Sequence, residues 1–496
     1  MKLTQFLKRS LCLTLGIGLL AVSCSDDFVD VNSEDLNSED FFNTEAEYQS
    51  ALIGAYDLLQ SSYINVMLGE IASNNTRAGG ESAIDVPGIQ QIDKMTHNPI
   101  NENLRDVWSW MFAGVNRANY LLEFKDKTQF PNNEQVIAQA TFLRAYYYFE
   151  LVKFFGDVPL AVDQRLLFGD QNTVERTPKS EVYAQIELDL IFASENLPIT
   201  QVEMGRVTKG AAQALLGKVY LYQNKFMEAS NVLDNVINTG TYDLVTDFSE
   251  VFENEFENNI ESVFEIQYTD EEGAGFGCLQ CSEGNVAVGF NGPRNFNGPL
   301  FESGFSFNVP TEEIYNAFDE DDLRRDIAIL DIEAFALANQ DFNNGAGVTY
   351  SLGFEHTGYY NRKYIPRVGD LNIGDQNLTN PNNYRAIRFA DVLLMAAEAH
   401  NRGGGNDALA LQYVNRVRTR AGLDDLSVTG NDLTQAIYLE RRLELVGEGH
   451  HFFDLVRTNR AAQEIDGFMT GKHEVFPIPL IEIQLAGNRW EQNPGY

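Results

Sequence analysis

Between residues 207 and 237 the apolar positions repeat with a helical period, break once, and repeat again. Ala212, Leu215, Leu216, Val219 and Tyr222 fall on one helix face, and after the break at Gln223, Asn224 and Lys225 the residues Phe226, Ala229, Leu233 and Val236 do the same. Two short amphipathic helices joined this tightly form a hairpin. A lone hairpin cannot bury its own apolar faces, so the rest of the chain has to supply further helices that stack on it.

The offsets of Leu216, Gly217, Tyr220, Ala229, Leu233 and Val236 match the tetratricopeptide (TPR) pattern, in which a small residue on each helix permits close packing. Three further pairs are expected as partners: 48–59 with 104–124, 136–155 with 181–196, and 386–401 with 408–420. The last keeps Ala397, Ala410, Val414 and Val417 in TPR-like order across a slightly longer turn. Between residues 242 and 384 the pattern changes. Residues 263–268 alternate like a strand, and Gly-, Asn- and Phe-rich loops follow up to Asn308 and again over 342–383. The expected fold is therefore mainly α, with four TPR-like hairpins, long irregular loops and a little β. It divides into a helical scaffold at about 45–240 and 386–425, a loop-rich ligand-side insertion at about 241–385, and a C-terminal segment 426–496 within one folded unit.

Charge excludes one class of partner. With 36 Lys and Arg against 72 Asp and Glu the net charge is -36, which repels phosphate backbones. The apolar share of 44% excludes a disordered tail and a multi-span membrane protein.

The N-terminus reads as an export address. Lys2, Lys8 and Arg9 precede an apolar run over 11–22, too short for the ~20 residues that a membrane span needs. Leu20, Ala21, Val22, Ser23 and Cys24 resemble a bacterial lipobox, so residues 1–23 are expected to be a signal peptide and Cys24 the lipidated residue. Residues 24–44 then form an acidic tether, whose start at Ser25, Asp26, Asp27 and Phe28 resembles a signal for the outer face of the outer membrane.

No catalytic motif stands out. The six histidines form no HExxH, no GxSxG elbow is present, and Gly205 to Lys209 lacks the glycine spacing of a phosphate loop. Asp341, Asn343 and Gly345 begin like a calcium loop but place Ala346 where glycine is required. Glu448, His450, His451 and Asp454 are read as structural, and Glu440 and Glu444, which flank Arg441 and Arg442, as an i,i+4 charge network. Cys278 and Cys281 form a single CxxC, for which a loop disulfide is the first reading and a metal site the last. No cofactor or metal is expected.

Several segments together resemble the SusD/RagB family of outer-membrane nutrient-binding lipoproteins. They are 138–152 with 155–160; Phe42 to Ala46 leading to 51–56; Trp108 with 116–119; 388–399; 415–423; 440–445 with Gly449, His450 and 453–455; 476–479; and the terminal Gln492, Asn493, Pro494, Gly495 and Tyr496. Membership implies a helical body with irregular ligand-bearing loops, seated as a lid on a SusC-like TonB-dependent barrel. It also implies capture of oligosaccharide for that transporter without cleavage. The RagB branch keeps peptide or other nutrient capture as the alternative, with a surface glycoside hydrolase less favoured and a pure TPR adaptor a third reading.

Glycan capture uses aromatic faces with amide and guanidinium donors. On that basis the candidate ligand residues are Asn74, Asn75 and Arg77, with Tyr63, Phe290, Arg294, Phe296, Tyr359 and Tyr360. Trp108, Trp110 and Trp490 offer no obvious sugar platform, since two sit in an expected helix and one in the tail motif.

Overall fold

The computed structural model describes residues 41–496 apart from 163, 168, 272–274, 277 and 371–377. The expected signal peptide, Cys24 and most of the expected tether lie outside the described residues. The described chain enters its first helix through a capping box, in which Thr44 Oγ1 accepts from the Glu47 N–H and the Glu47 carboxylate accepts from the Thr44 N–H at 2.8 Å. That helix is α1 (Glu45–Asp57). Next come α2 (Tyr63–Ile71), β1 (Thr76–Ala78), α3 (Pro87–Asp93), α4 (Glu102–Glu123), α5 (Asn133–Phe155), α6 (Lys179–Asn196), α7 (Lys209–Tyr222) and α8 (Phe226–Asn238). α1 packs on α4, α5 on both α4 and α6, α6 on α7, and α7 on α8.

Close approach of these helices has identifiable causes. Gly114 of α4 lies against the Tyr147 ring of α5, where a Cβ would come within 2.6 Å, and Gly217 of α7 lies equally close to Leu233 of α8. Tyr147 passes on to α1 and donates its hydroxyl to the Ala55 carbonyl at 2.6 Å. α5 is buried on nearly every side, so its charges need partners. Arg144 forms a fork to Asp189 of α6 with two bonds of 2.7 Å, and Glu150 accepts from Asn65 at 2.8 Å and Lys153 at 2.6 Å.

Among the elements beyond α8 are β2 (Ser262–Ile266), α9 (Val286–Asn291), β3 (Arg294–Asn297), β4 (Asn308–Pro310), β5 (Ile329–Asp331), β6 (Thr349–Ser351), β7 (Tyr359–Asn361) and β8 (Tyr384–Arg388). Then follow α10 (Phe389–Arg402), α11 (Asp407–Arg420), α12 (Gly430–Glu444), α13 (His451–Arg457) and α14 (Leu480–Leu485). α10 and α11 pair, and α10 also packs on α8, so all four expected hairpin pairs are in contact.

The described strands form two-stranded antiparallel ladders: β1 with β4, β2 with β8, β3 with β6 and β5 with β7. β2 departs from the alternation read in the sequence, because Val263, Phe264, Glu265 and Ile266 are all buried. Phe296, Phe301, Val309, Leu330, Ile332, Tyr360 and Ile365 build a small apolar core of their own, apart from the main one.

The i,i+4 network expected within α12 is corrected by the structure. Glu440 and Glu444 accept from Arg324 at 2.6 and 2.8 Å, a residue of the insertion, and Glu444 accepts also from Arg388 and Arg420. Arg441 turns the other way, to Asp391 and to Asp454 at 2.7 Å, and Arg442 reaches Glu313 at 3.0 Å. Fully buried carboxylates need several charge-assisted donors, and neighbours pointing off the same helix in other directions cannot supply them. The result is a buried ionic hub. Arg388 bridges Glu261 at 2.9 Å and Glu448 at 2.9 Å, while Lys363 reaches Glu448 at 2.7 Å.

Candidate ligand site

β1 carries a charged residue to the surface. Its ladder with β4 sets Arg77 opposite Val309, whose side chain lies in the small insertion core, and leaves the Arg77 side chain 41% exposed. α3 holds the strand from behind, since Gln90 Nε2 donates to the carbonyls of Ala78 and Gly79 at 2.8 Å each. Asp93, at the end of α3, accepts from Arg77 Nη1 at 3.4 Å and from the Ala78 N–H at 3.3 Å. Burial pushes the Asp93 pKa up, and Arg77 opposes that rise.

Around this pair the insertion comes very close. A Cβ on Gly79 would lie 2.1 Å from the Ser306 carbonyl oxygen, so only glycine admits the contact. The Phe354 N–H donates to the Gly80 carbonyl at 2.7 Å, which brings the Phe354 ring under the Lys94 ammonium, 5.5 Å from the ring centroid. Arg294 donates to the Phe305 carbonyl at 2.8 Å and stands 3.5 Å from Glu81. His356 Nδ1 is 3.3 Å from the Tyr360 hydroxyl, and burial lowers its pKa.

Together these residues make a polar face with a half-buried ring: guanidinium and ammonium donors, a carboxylate acceptor and the Phe354 surface. Such a set can bond hydroxyls and pack a sugar C–H surface.

The residues expected from sequence fall in different places. Arg77 and Arg294 keep polar atoms near this face. Asn74 is half-buried, with Nδ2 donating to Glu313 at 3.3 Å and Oδ1 3.1 Å from His451 Nε2, and Asn75 is buried and accepts from Arg442 at 2.8 Å. Both asparagines therefore join the loop to the C-terminal helices. Tyr63 and Phe290 pack edge to face with centroids 6.0 Å apart in the main core, and Phe296 and Tyr360 fill the small one. These four rings are corrected as ligand platforms, because burial leaves them no open face. Tyr359 is half-exposed and stacks on Tyr315 at 4.6 Å. Cys278 is disulfide-bonded, and the Cys281 side chain lies outside the described atoms.

Asp93, Lys94, Phe354 and His356 were not singled out from sequence. Nothing in the linear pattern joins Asp93 to Arg77 or Lys94 to Phe354, since a strand pairing and a glycine contact bring them together.

Among solved structures, a laminarin-binding SusD-like protein superposes with a TM-score of 0.83 and 37% sequence identity, covering 91% of this chain and all of that one. A family model described as the SusD family matches residues 254–496. The chain belongs to the SusD family.

A second family model, described as starch-binding associating with outer membrane, matches residues 27–221 of this SusD-family chain. SusD-like protein P2 of Formosa agariphila is 28% identical over 96% of the chain and 98% of its own length. Surface glycan-binding protein A from Bacteroides thetaiotaomicron, solved in complex with laminarihexaose, superposes with a TM-score of 0.79 at 26% identity, covering 90% and 99% of the two chains.

Proposed function

We propose that this SusD-family protein captures glucan fragments of the laminarin kind at the outer membrane and delivers them, uncleaved, to a SusC-like TonB-dependent barrel. Cys24 carries the lipid anchor in this reading, and the acidic tether lets the folded body face the cell exterior. The observation that carries the proposal is the 37% identity to a laminarin-binding protein across that protein's whole length. The Arg77 face supports it, because its donors and half-buried ring suit a neutral polyol.

One carboxylate pair, Glu440 and Glu444, is unavailable for cleavage. Glycoside hydrolysis needs two carboxyl groups, one able to hold and give a proton. Glu440 and Glu444 are each locked onto arginines, and although burial alone would raise the Glu444 pKa, Arg420, Arg388 and Arg324 pull it far below the usual carboxylate range.

Affinity electrophoresis tests the reading. The protein is expected to be retarded in gels containing laminarin, with less effect from starch. Equal mobility in every glucan gel would overturn it.

A further inference from the structure

Trp108 and Trp110 stand two positions apart on α4 and so project to nearly opposite faces. Trp110 approaches Tyr63 at 6.1 Å, on the side of the insertion rings. Trp108 faces away, 5.1 Å from Phe155 and 6.2 Å from Trp490, at the base of a cavity of about 290 Å³. No residue of the Arg77 face lines this cavity.

Three distant segments make its walls: α4, the loop after α5, and the C-terminal region. Side-chain bonds fix them together. Asn116 exchanges two bonds of 2.9 Å with the Leu166 backbone, and the Trp490 indole donates to the Val174 carbonyl at 2.8 Å. The cavity is thus formed before any ligand arrives.

Its chemistry is specific. Ser109, Gln171 and Glu482 place polar groups among the aromatic and aliphatic walls, Asn116 being taken up by its Leu166 bonds, and no Lys, Arg or His is among the lining residues. Glu482 is half-buried beside Trp108, burial pushes its pKa up, and it makes no ion pair among the described residues. A carboxylate beside the half-buried Phe112 ring, over the buried Trp108 and Trp490 and with Ser109 and Gln171 alongside, matches a sugar ring: hydroxyls donate to the carboxylate while a C–H face meets Phe112.

We propose that this cavity is a second glycan subsite, taking one pyranose ring of the polymer whose main contact is the Arg77 face. The inference rests on the glucan-capture reading. Two separate subsites on one rigid body raise the avidity for polymer over that for short fragments.

Titration with laminaritriose, followed by calorimetry and by tryptophan emission, tests it. Two molar equivalents are expected, with an emission change that survives Arg77→Ala. Ser109→Leu at the exposed rim should abolish that change and reduce the stoichiometry to one. The isosteric Glu482→Gln should weaken the same step about tenfold, the effect of losing hydrogen bonds to a charged group. A single equivalent, lost in Arg77→Ala and intact in Ser109→Leu, would overturn the second subsite and leave the capture reading standing. Emission that responds to benzyltrimethylammonium and not to the sugar would make the cavity an organic-cation site and also overturn the inference. Failure of the wild type to bind any glucan would remove the capture reading itself.

Discussion

Arg77 and Arg388 show how differently one residue type can serve this protein. Arg77 is 41% exposed and holds one weak bond to Asp93, so its removal costs little stability. Arg77→Ala is expected to lower laminarihexaose affinity at least tenfold, on the order of one charge-assisted hydrogen bond, with a small fall in Tm as the buried Asp93 loses its weak partner. Arg388 is 1% exposed and joins Glu261, Glu444 and Glu448. Arg388→Ala strands these carboxylates and should cost roughly 3–5 kcal/mol in urea unfolding; a loss under 1 kcal/mol would contradict the hub's structural role.

Buried titratable groups set the response to acid at the same scale. Burial holds His97 and His450 down to about 3, below the ordinary 6.5, so acidification from 6.5 protonates the unfolded chain first and weakens the fold. Burial lifts Glu70 and Glu257 from 4.5 to about 7, so acidification from 7 to 4.5 protonates the folded chain first and strengthens it. These pairs oppose each other between 4.5 and 6.5, each group contributing up to ~1.4 kcal/mol per pH unit. Below 4.5 the glutamate gain ends and the histidine loss continues. Asp391, Asp454, Glu398 and Glu444 then add to that loss, since burial would raise their pKa values but arginines hold them low. Burial also holds His451 down and lifts Asp370 to about 6, so thermal scans should show a shallow change in Tm from pH 6.5 to 4.5 and a steep fall below; a steep fall beginning at 6.5 would contradict the assignment.

At the scale of elements, the hairpins rest on close helix contact. Gly114→Val should push α4 from the Tyr147 ring and cost about 1–3 kcal/mol, the usual effect of overpacking, measured by urea unfolding. Wild-type stability in that variant would show that the ring has room to turn aside. The helices themselves were legible in the sequence because their signal is local: the 207–237 hairpin falls on Lys209–Tyr222 and Phe226–Asn238. The short ladders were not. β1 and β4 are three residues each, and what defines them is a partner more than two hundred positions away. Length and periodicity hold too little information at that size; β2 was legible as a strand from its alternation, although the structure buries both of its faces.

At the scale of the whole molecule, the helical body presents the insertion, and the insertion builds the Arg77 face. Arg77 was legible as a polar residue in a loop after a helix, and Arg294 as a basic residue amid aromatics. Phe296 and Tyr360 sit inside for a physical reason: ring-rich loops look like binding platforms, yet these two rings fill the small apolar core of the insertion. Phe354 and Lys94 became visible only once β1 and the loop after β6 were brought together. The central claim, capture of glucan without turnover, is tested most directly by one calorimetric titration with laminarihexaose, with chromatography of the recovered sugar after prolonged incubation. Saturable binding with the hexasaccharide recovered whole is the predicted result. Shorter products, or no heat of binding at any concentration, would contradict it.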